Sequence, residues 1–192
     1  TSSHIKGPLR LNSIEGLIKS ATPYSEVASA ALNLYRFLRA KYRGLPHWSV
    51  DIGSLPHADS VNSNFSETIE PHINIFVPAF EQRLSAMVRL AKSSQINPVL
   101  ITQPMLYGNG TDPSTGINLS TVEVFPNTSG HAFWTILELY NQATRKLGKQ
   151  ENVLTIDLAQ ELEKNSDFFY DPTHFTNEGA VEASEIIYKR LL

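Results

Sequence analysis

The chain has 192 residues, 41% of them hydrophobic and 18% charged, with a formal net charge of -3, no cysteine and no apolar run approaching the length of a membrane span. That length supports one domain with a proper core. The acidic balance argues against a nucleic-acid partner, whose affinity rests on basic surface, and the lack of thiols excludes disulfides, thiolate nucleophiles and thiolate metal sites.

Gly7-Pro8 and Thr22-Pro23 break the weakly patterned first 22 residues. Thr22-Pro23 reads as a helix cap and first turn. Val27, Ala31, Leu34, Tyr35, Leu38 and Tyr42 then share one face at helical spacing as far as Gly44, an amphipathic helix whose role is packing. Pro46, Gly53, Pro56 and Pro71 break any long element over 44–72, where residues 48–52 form a short candidate strand. His47, Asp51, His57, Asp59 and His72 gather in the same stretch. Loop spacing does not establish convergent ligand geometry, so no metal is assigned to them.

A helix is expected over 73–93, with Phe76, Phe80, Leu84, Met87 and Ala91 as its buried stripe. Val-Leu-Ile-Thr-Gln, bracketed by Pro98 and Pro104, follows as a strand. Helix then strand is the rhythm of a parallel sheet covered on both faces, in which ligands sit beyond the C-terminal ends of the strands. The polar segment 105–130 is therefore expected to act as a substrate-side flap. Its Gly108-Asn109-Gly110 reads first as a turn and second as an oxyanion contributor. Sequons at Asn64, Asn109, Asn118 and Asn127 are expected by chance in a chain rich in Asn, Ser and Thr.

A third helix carries Phe133, Ile136, Leu137, Tyr140 and Leu147 and is expected to stop near Gly148. Residues 153–156 form the second strand, and Asp157 occupies a helix-cap position ahead of Leu158 and Leu162. The last helix starts at Asn177 and is expected to bury Ala180, Ala183, Ile187 and Leu191, with Glu178 at its positive end.

Just before that helix, Asp171-Pro172-Thr173-His174 places a carboxylate and an imidazole on one turn. A histidine works as a general base when its other ring nitrogen is held by an acceptor that fixes tautomer and orientation, and a carboxylate is the strongest such partner. The bland alternative is an Asx-turn in which Asp171 caps Thr173 and His174 covers the core.

The run Tyr170-Asp171-Pro172-Thr173-His174-Phe175-Thr176-Asn177-Glu178-Gly179-Ala180 resembles the last conserved block of the SGNH (GDSL-type) hydrolases, an Asp-x-x-His followed by a closing helix. The segment Asn97-Pro98-Val99-Leu100-Ile101-Thr102-Gln103-Pro104, the helix containing Tyr140-Asn141, and Val153-Leu154-Thr155-Ile156-Asp157-Leu158 are similar in order and spacing to that family's later strands and helices. The resemblance covers residues 73–192. Residues 1–72 stand apart as a helical or irregular segment.

The resemblance implies a three-layer α/β/α flavodoxin-like fold of SGNH type. It also implies a serine ester hydrolase in which Asp171 orients His174, with neither organic cofactor nor metal. The substrate class is an ester of a small molecule, a carbohydrate or a lipid. The family's Gly-Asp-Ser block with its serine, its glycine block and its Gly-x-Asn-Asp block do not occur in this chain. A doubly wound sheet needs about five or six strands, and only two or three are legible. The expectation is a C-terminal portion of such a domain, completed by an N-terminal segment of the same protein. Ser54, in Gly53-Ser54-Leu55, and Thr1 are the in-chain alternatives for a nucleophile, the latter as in an N-terminal-nucleophile amidohydrolase. The rival from another class is a non-catalytic binding or assembly module that retains the scaffold.

Overall fold

Two short apolar segments lie side by side. Val99–Ile101 (β1) and Leu154–Ile156 (β4) pair in parallel, with Leu100 opposite Thr155. The computed structural model describes Ser25, Val27, Ala30, Leu34, Tyr35 and residues 51–57, 65–125 and 128–192. It divides the chain into two units, Thr1–His47 and Trp48–Leu192.

In the first unit Val27, Ala30, Leu34 and Tyr35 are helical and exposed, so at Val27, Leu34 and Tyr35 the expected packing stripe is not a buried one. Ala31, Leu38 and Tyr42 lie outside the described residues, as do Thr1, His47, residues 48–50 of the expected strand, Asp59, Asn64 and Asn127.

The second unit is mixed α/β, with helices, one small parallel sheet and one small antiparallel sheet. Its helical stretch begins earlier than the prolines suggest: Phe65–Pro71 (α1) runs through a π-helical turn, His72–Phe76, into Val77–Ser93 (α2). Pro71 withholds one amide, and just beyond it the ladder widens, the Val77 N–H bonding to the His72 carbonyl. The wider turn rotates everything after it, which moves the buried stripe. Phe76 and Met87 are exposed, Val88 is the buried residue, and Phe80, Leu84 and Ala91 are half-buried.

Alternation along the strands puts Leu100 and Ile156 on opposite faces. Leu100 clusters with Val88 of α2 and Leu147 of Gly130–Glu151 (α3). Ile156 belongs to the main core with Ala183 and Ile186 of Asn177–Leu191 (α5). Each fully buried side chain of this size contributes about 1.5–3 kcal/mol.

Ser129 caps α3 by accepting the Ala132 N–H at 3.2 Å. The helix does not stop at Gly148. A Cβ there would lie 1.8 Å from Thr155 Oγ1, so glycine is the residue that lets α3 lie against β4, and the helix ends instead at Asn152 with φ 50°. From α3, the buried Asn141 amide binds the Gln103 backbone at both ends, donating to its carbonyl at 3.0 Å and accepting its N–H at 2.8 Å. This fixes the path of the chain as it leaves β1.

The segment after β1 is not a flap. Met105, Leu106, Tyr107, Leu119 and Val122 are core residues, and Glu123–Phe125 (β2) pairs antiparallel with Thr128–Ser129 (β3). Asp112, fully buried, organises its turn by accepting from the amide and hydroxyl of both Thr115 and Ser166. A carboxylate with four donors ties the polar loop to the body.

Asp157 precedes Leu158–Glu161 (α4), but its side chain does not cap that helix. The cap hydrogen bond goes from the Ala159 N–H to Thr102 Oγ1 at 2.9 Å, while the Asp157 carboxylate accepts from Thr102 Oγ1 at 2.9 Å and from Arg145. In α5 the buried residues are Gly179, Ala183 and Ile186; Ala180 and Leu191 are exposed and Ile187 half-buried. Thr176 sets that phase by capping the helix through the Gly179 N–H at 3.1 Å.

Candidate active site

The turn that carries Asp171 and His174 is anchored on both sides. Phe169 and Phe175 form an antiparallel bridge with their rings 5.3 Å apart, and Phe169 is in the core. The Tyr170 N–H bonds the His174 carbonyl at 3.1 Å and the Thr176 N–H bonds the Phe168 carbonyl at 3.0 Å. Proline after Asp171 holds the chain in a turn.

Within this frame one carboxylate does two jobs. Asp171 Oδ1 accepts the Thr173 N–H at 2.9 Å and the His174 N–H at 2.8 Å, which is the Asx-turn of the bland alternative. Asp171 Oδ2 meets His174 Nδ1 at 2.7 Å, which is the pairing a catalytic dyad needs. The Tyr170 ring stacks on the imidazole at 5.7 Å between centroids.

The electrostatics favour an ionised aspartate. Burial alone would raise the Asp171 carboxyl, but the hydrogen bonds from Thr173, from the His174 amide and from the His174 ring hold it below the ordinary carboxylate range. Tyr107 is affected in turn: burial first, and the Asp171 charge second, push its phenol up to about 12.

The outer ring nitrogen of His174 makes no hydrogen bond among the described residues. The imidazole is 64% exposed, and among the described residues no hydroxyl reaches it. Ser54 is not brought to it; this serine closes the turn Ile52–Ser54 and donates its hydroxyl to the Asp51 carbonyl at 2.8 Å. Gly108 and Gly110 have φ of 133° and 117°, the left-handed half that only glycine adopts easily, and Asn109 between them binds the His131 ring at 2.8 Å. This segment is a turn.

The scattered histidines and acids also part company. Asp51 accepts the Gly53 N–H, His57 bonds Thr121 and His72 bonds the Tyr140 hydroxyl. Among the described residues no group of three or more such side chains converges on a metal position.

Two features around the turn were not visible in the sequence. The Leu106 N–H donates to the Pro172 carbonyl at 3.0 Å, and Lys164 donates to the carbonyls on either side of Leu106. Glu161-Leu162-Glu163-Lys164-Asn165 reads as a solvated run, and no local pattern marks its lysine as half-buried.

No protein-family model, curated protein or solved structure matches this chain. No described helix is long and apolar enough to cross a membrane.

Proposed function

We propose that this chain supplies the acid and base of an SGNH-type serine ester hydrolase, with Asp171 and His174 as the dyad and the serine on an upstream segment of the same protein. The observation that carries this reading is the 2.7 Å contact between Asp171 Oδ2 and His174 Nδ1, made by a carboxylate whose other oxygen is already held by two backbone amides. Such an aspartate cannot swing away, so the imidazole is held with its proton on Nδ1 and its lone pair on Nε2.

The chemistry follows from that tautomer. The serine hydroxyl attacks the ester carbonyl and passes its proton to His174 Nε2; the resulting imidazolium is stabilised by the Asp171 carboxylate. Collapse of the tetrahedral intermediate expels the alcohol, which takes the proton from Nε2. Water then repeats the sequence on the acyl-enzyme and releases the carboxylic acid. Esters of small molecules, carbohydrates and lipids all fit this scheme.

The sheet supports an upstream partner. β1 and β4 pair only with each other among the described residues, and Val99, Ile101 and Leu154 on one face are 40%, 43% and 46% exposed. Ile156, on the same face, is already buried in the core, and parallel sheets are buried on both faces, so a flavodoxin-like three-layer fold requires further strands beside this pair and cover over the exposed side chains. A non-catalytic binding or assembly module is the second reading. It is favoured by the lack of a hydroxyl hydrogen-bonded to the outer nitrogen of His174 among the described residues.

Fluorophosphonate labelling, read by intact mass and peptide mapping, tests the reading. The 192-residue chain should remain unlabelled. The chain extended by its natural upstream sequence should take one adduct on a serine there, abolished by His174→Ala. An extended chain that stays unlabelled favours the binding module, and an adduct on Ser54 overturns the two-segment reading.

A further inference from the structure

We propose that Lys164 is a positioning residue for the Asp171–His174 turn, acting through residues 105–107, which it pins against that turn. Its functional meaning rests on the hydrolase reading; its geometry does not.

Lys164 Nζ donates to the Met105 carbonyl at 2.7 Å and to the Tyr107 carbonyl at 2.9 Å. Leu106, the residue between them, sends its N–H to the Pro172 carbonyl at 3.0 Å. The same three residues are thus bonded to the lysine through their outer members and to the turn through the middle one. Pro172 is the residue after Asp171, so its carbonyl moves with the peptide that carries the carboxylate.

The lysine is itself held in place. Its Nζ lies 3.5 Å from the centroid of the Trp134 ring on α3, a cation–π contact that aims the amine at the two carbonyls. Glu138, on the same helix, acts on it by charge, and Glu163 borders the same surface cavity of about 600 Å³. Met105, Leu106 and Tyr107 are among the most buried residues of the chain, at 2%, 1% and 1% exposure, so their main-chain carbonyls have little access to water. Without Lys164 those carbonyls lose their donor, and the segment is free to move away from Pro172.

The test uses two readouts of the 192-residue chain, neither of which needs a nucleophile. The first is the amide exchange rate of Leu106 by NMR. The second is the ring nitrogen shifts of His174, which report its tautomer. In Lys164→Met, Leu106 should exchange roughly tenfold faster or more relative to α3 amides such as Ala143 and Leu147. His174 should also lose its single Nδ1–H tautomer. An unchanged Leu106 rate, an unchanged His174 tautomer, or an equal acceleration of every amide overturns the proposal. If Lys164→Met does not fold, Lys164→Gln, which keeps a shorter donor, is read by the same criteria. Ester cleavage that survives in a completed enzyme while Leu106 stays protected in the variant sinks the clamp alone. The expected NMR changes in an enzyme that cleaves no ester sink the hydrolase reading and leave the clamp standing.

Discussion

Arg145 grips Asp157 with two nitrogens, Nε to Oδ2 at 2.7 Å and Nη2 to Oδ1 at 2.8 Å, and extends Nη1 to Glu138 at 2.6 Å. This two-point pair joins α3 to the end of β4 directly beside the parallel sheet. Burial alone would raise the Asp157 carboxyl, but the Arg145 and Thr102 hydrogen bonds hold it below its ordinary value of 3.8. Because the folded-state value is depressed, the stabilisation is present above the ordinary value and is lost as pH falls through the folded one. Arg145→Met should therefore cost about 2 kcal/mol at pH 7, and the gap from wild type should narrow as pH falls below the ordinary carboxylate value and through the depressed one. Urea unfolding in an acid titration downward from pH 7 measures both; a gap that never narrows as the carboxylates are protonated would mean the pair is not the source.

The same residue marks where the sequence stops being legible. Asp157 was readable as a position, since an aspartate after a β-strand and before Leu158 suits a helix start. Its partners were not, because Arg145 is 12 residues away and Thr102 is 55 away. The Asp171–His174 hydrogen bond, by contrast, is local: the two residues are three apart on a turn whose proline restricts its shape, so their contact was readable from residue types and spacing. β1 and β4 were legible from apolar runs, bracketed by prolines in the case of β1, whereas β2 and β3 lie in the polar segment and carry no such run. The polar segment 105–130 misled because its anchor, Asp112, is satisfied by Ser166, a partner 54 residues away. The π-helical turn at His72–Phe76 shifted the phase of α2, which no count of apolar spacing includes.

Asp171→Asn should separate geometry from chemistry. An amide oxygen in place of Oδ1 still accepts the Thr173 and His174 N–H groups, so the turn should persist, with a stability change within about 1 kcal/mol. The amide nitrogen in place of Oδ2 is a donor facing His174 Nδ1, which forces the opposite ring tautomer and removes the lone pair from Nε2. Under the proposed hydrolase function, ester turnover by the chain with its upstream segment should fall by about 10⁴-fold with little change in KM. Equal turnover by wild type and variant would remove Asp171 from the machinery.

Gly179→Ala is expected to disturb the turn from below. A Cβ at this position would lie 2.0 Å from the Phe168 carbonyl oxygen, which already accepts the Thr176 N–H and belongs to backbone that cannot rotate away like a side chain. Either α5 lifts from the 168–176 hairpin or the hairpin shifts, at a cost of about 2–4 kcal/mol. Thermal unfolding gives the cost. A substitution within about 0.5 kcal/mol of wild type would show that the contact relaxes freely.

Lys164 should leave its mark on stability as pH rises. Burial is the main cause that lowers its amine from the ordinary 10.5 to about 8, against the opposing charge of Glu138. Between those values the unfolded chain holds a proton that the folded chain has released, so the free energy of unfolding rises with pH across that window. The neutral amine still has two N–H groups for the Met105 and Tyr107 carbonyls, which is why the folded state tolerates its loss of charge. Urea unfolding of wild type and Lys164→Met at pH 7 and pH 10 isolates this lysine, because other titrating groups cancel in the difference. Tyr107 stays out of the window, since its raised value means that its own contribution is lost only as pH climbs from about 10 towards 12. The difference should move in favour of wild type by up to about 3 kcal/mol between the two pH values. A difference that stays flat would mean that the amine is as well hydrated in the folded protein as in the unfolded chain.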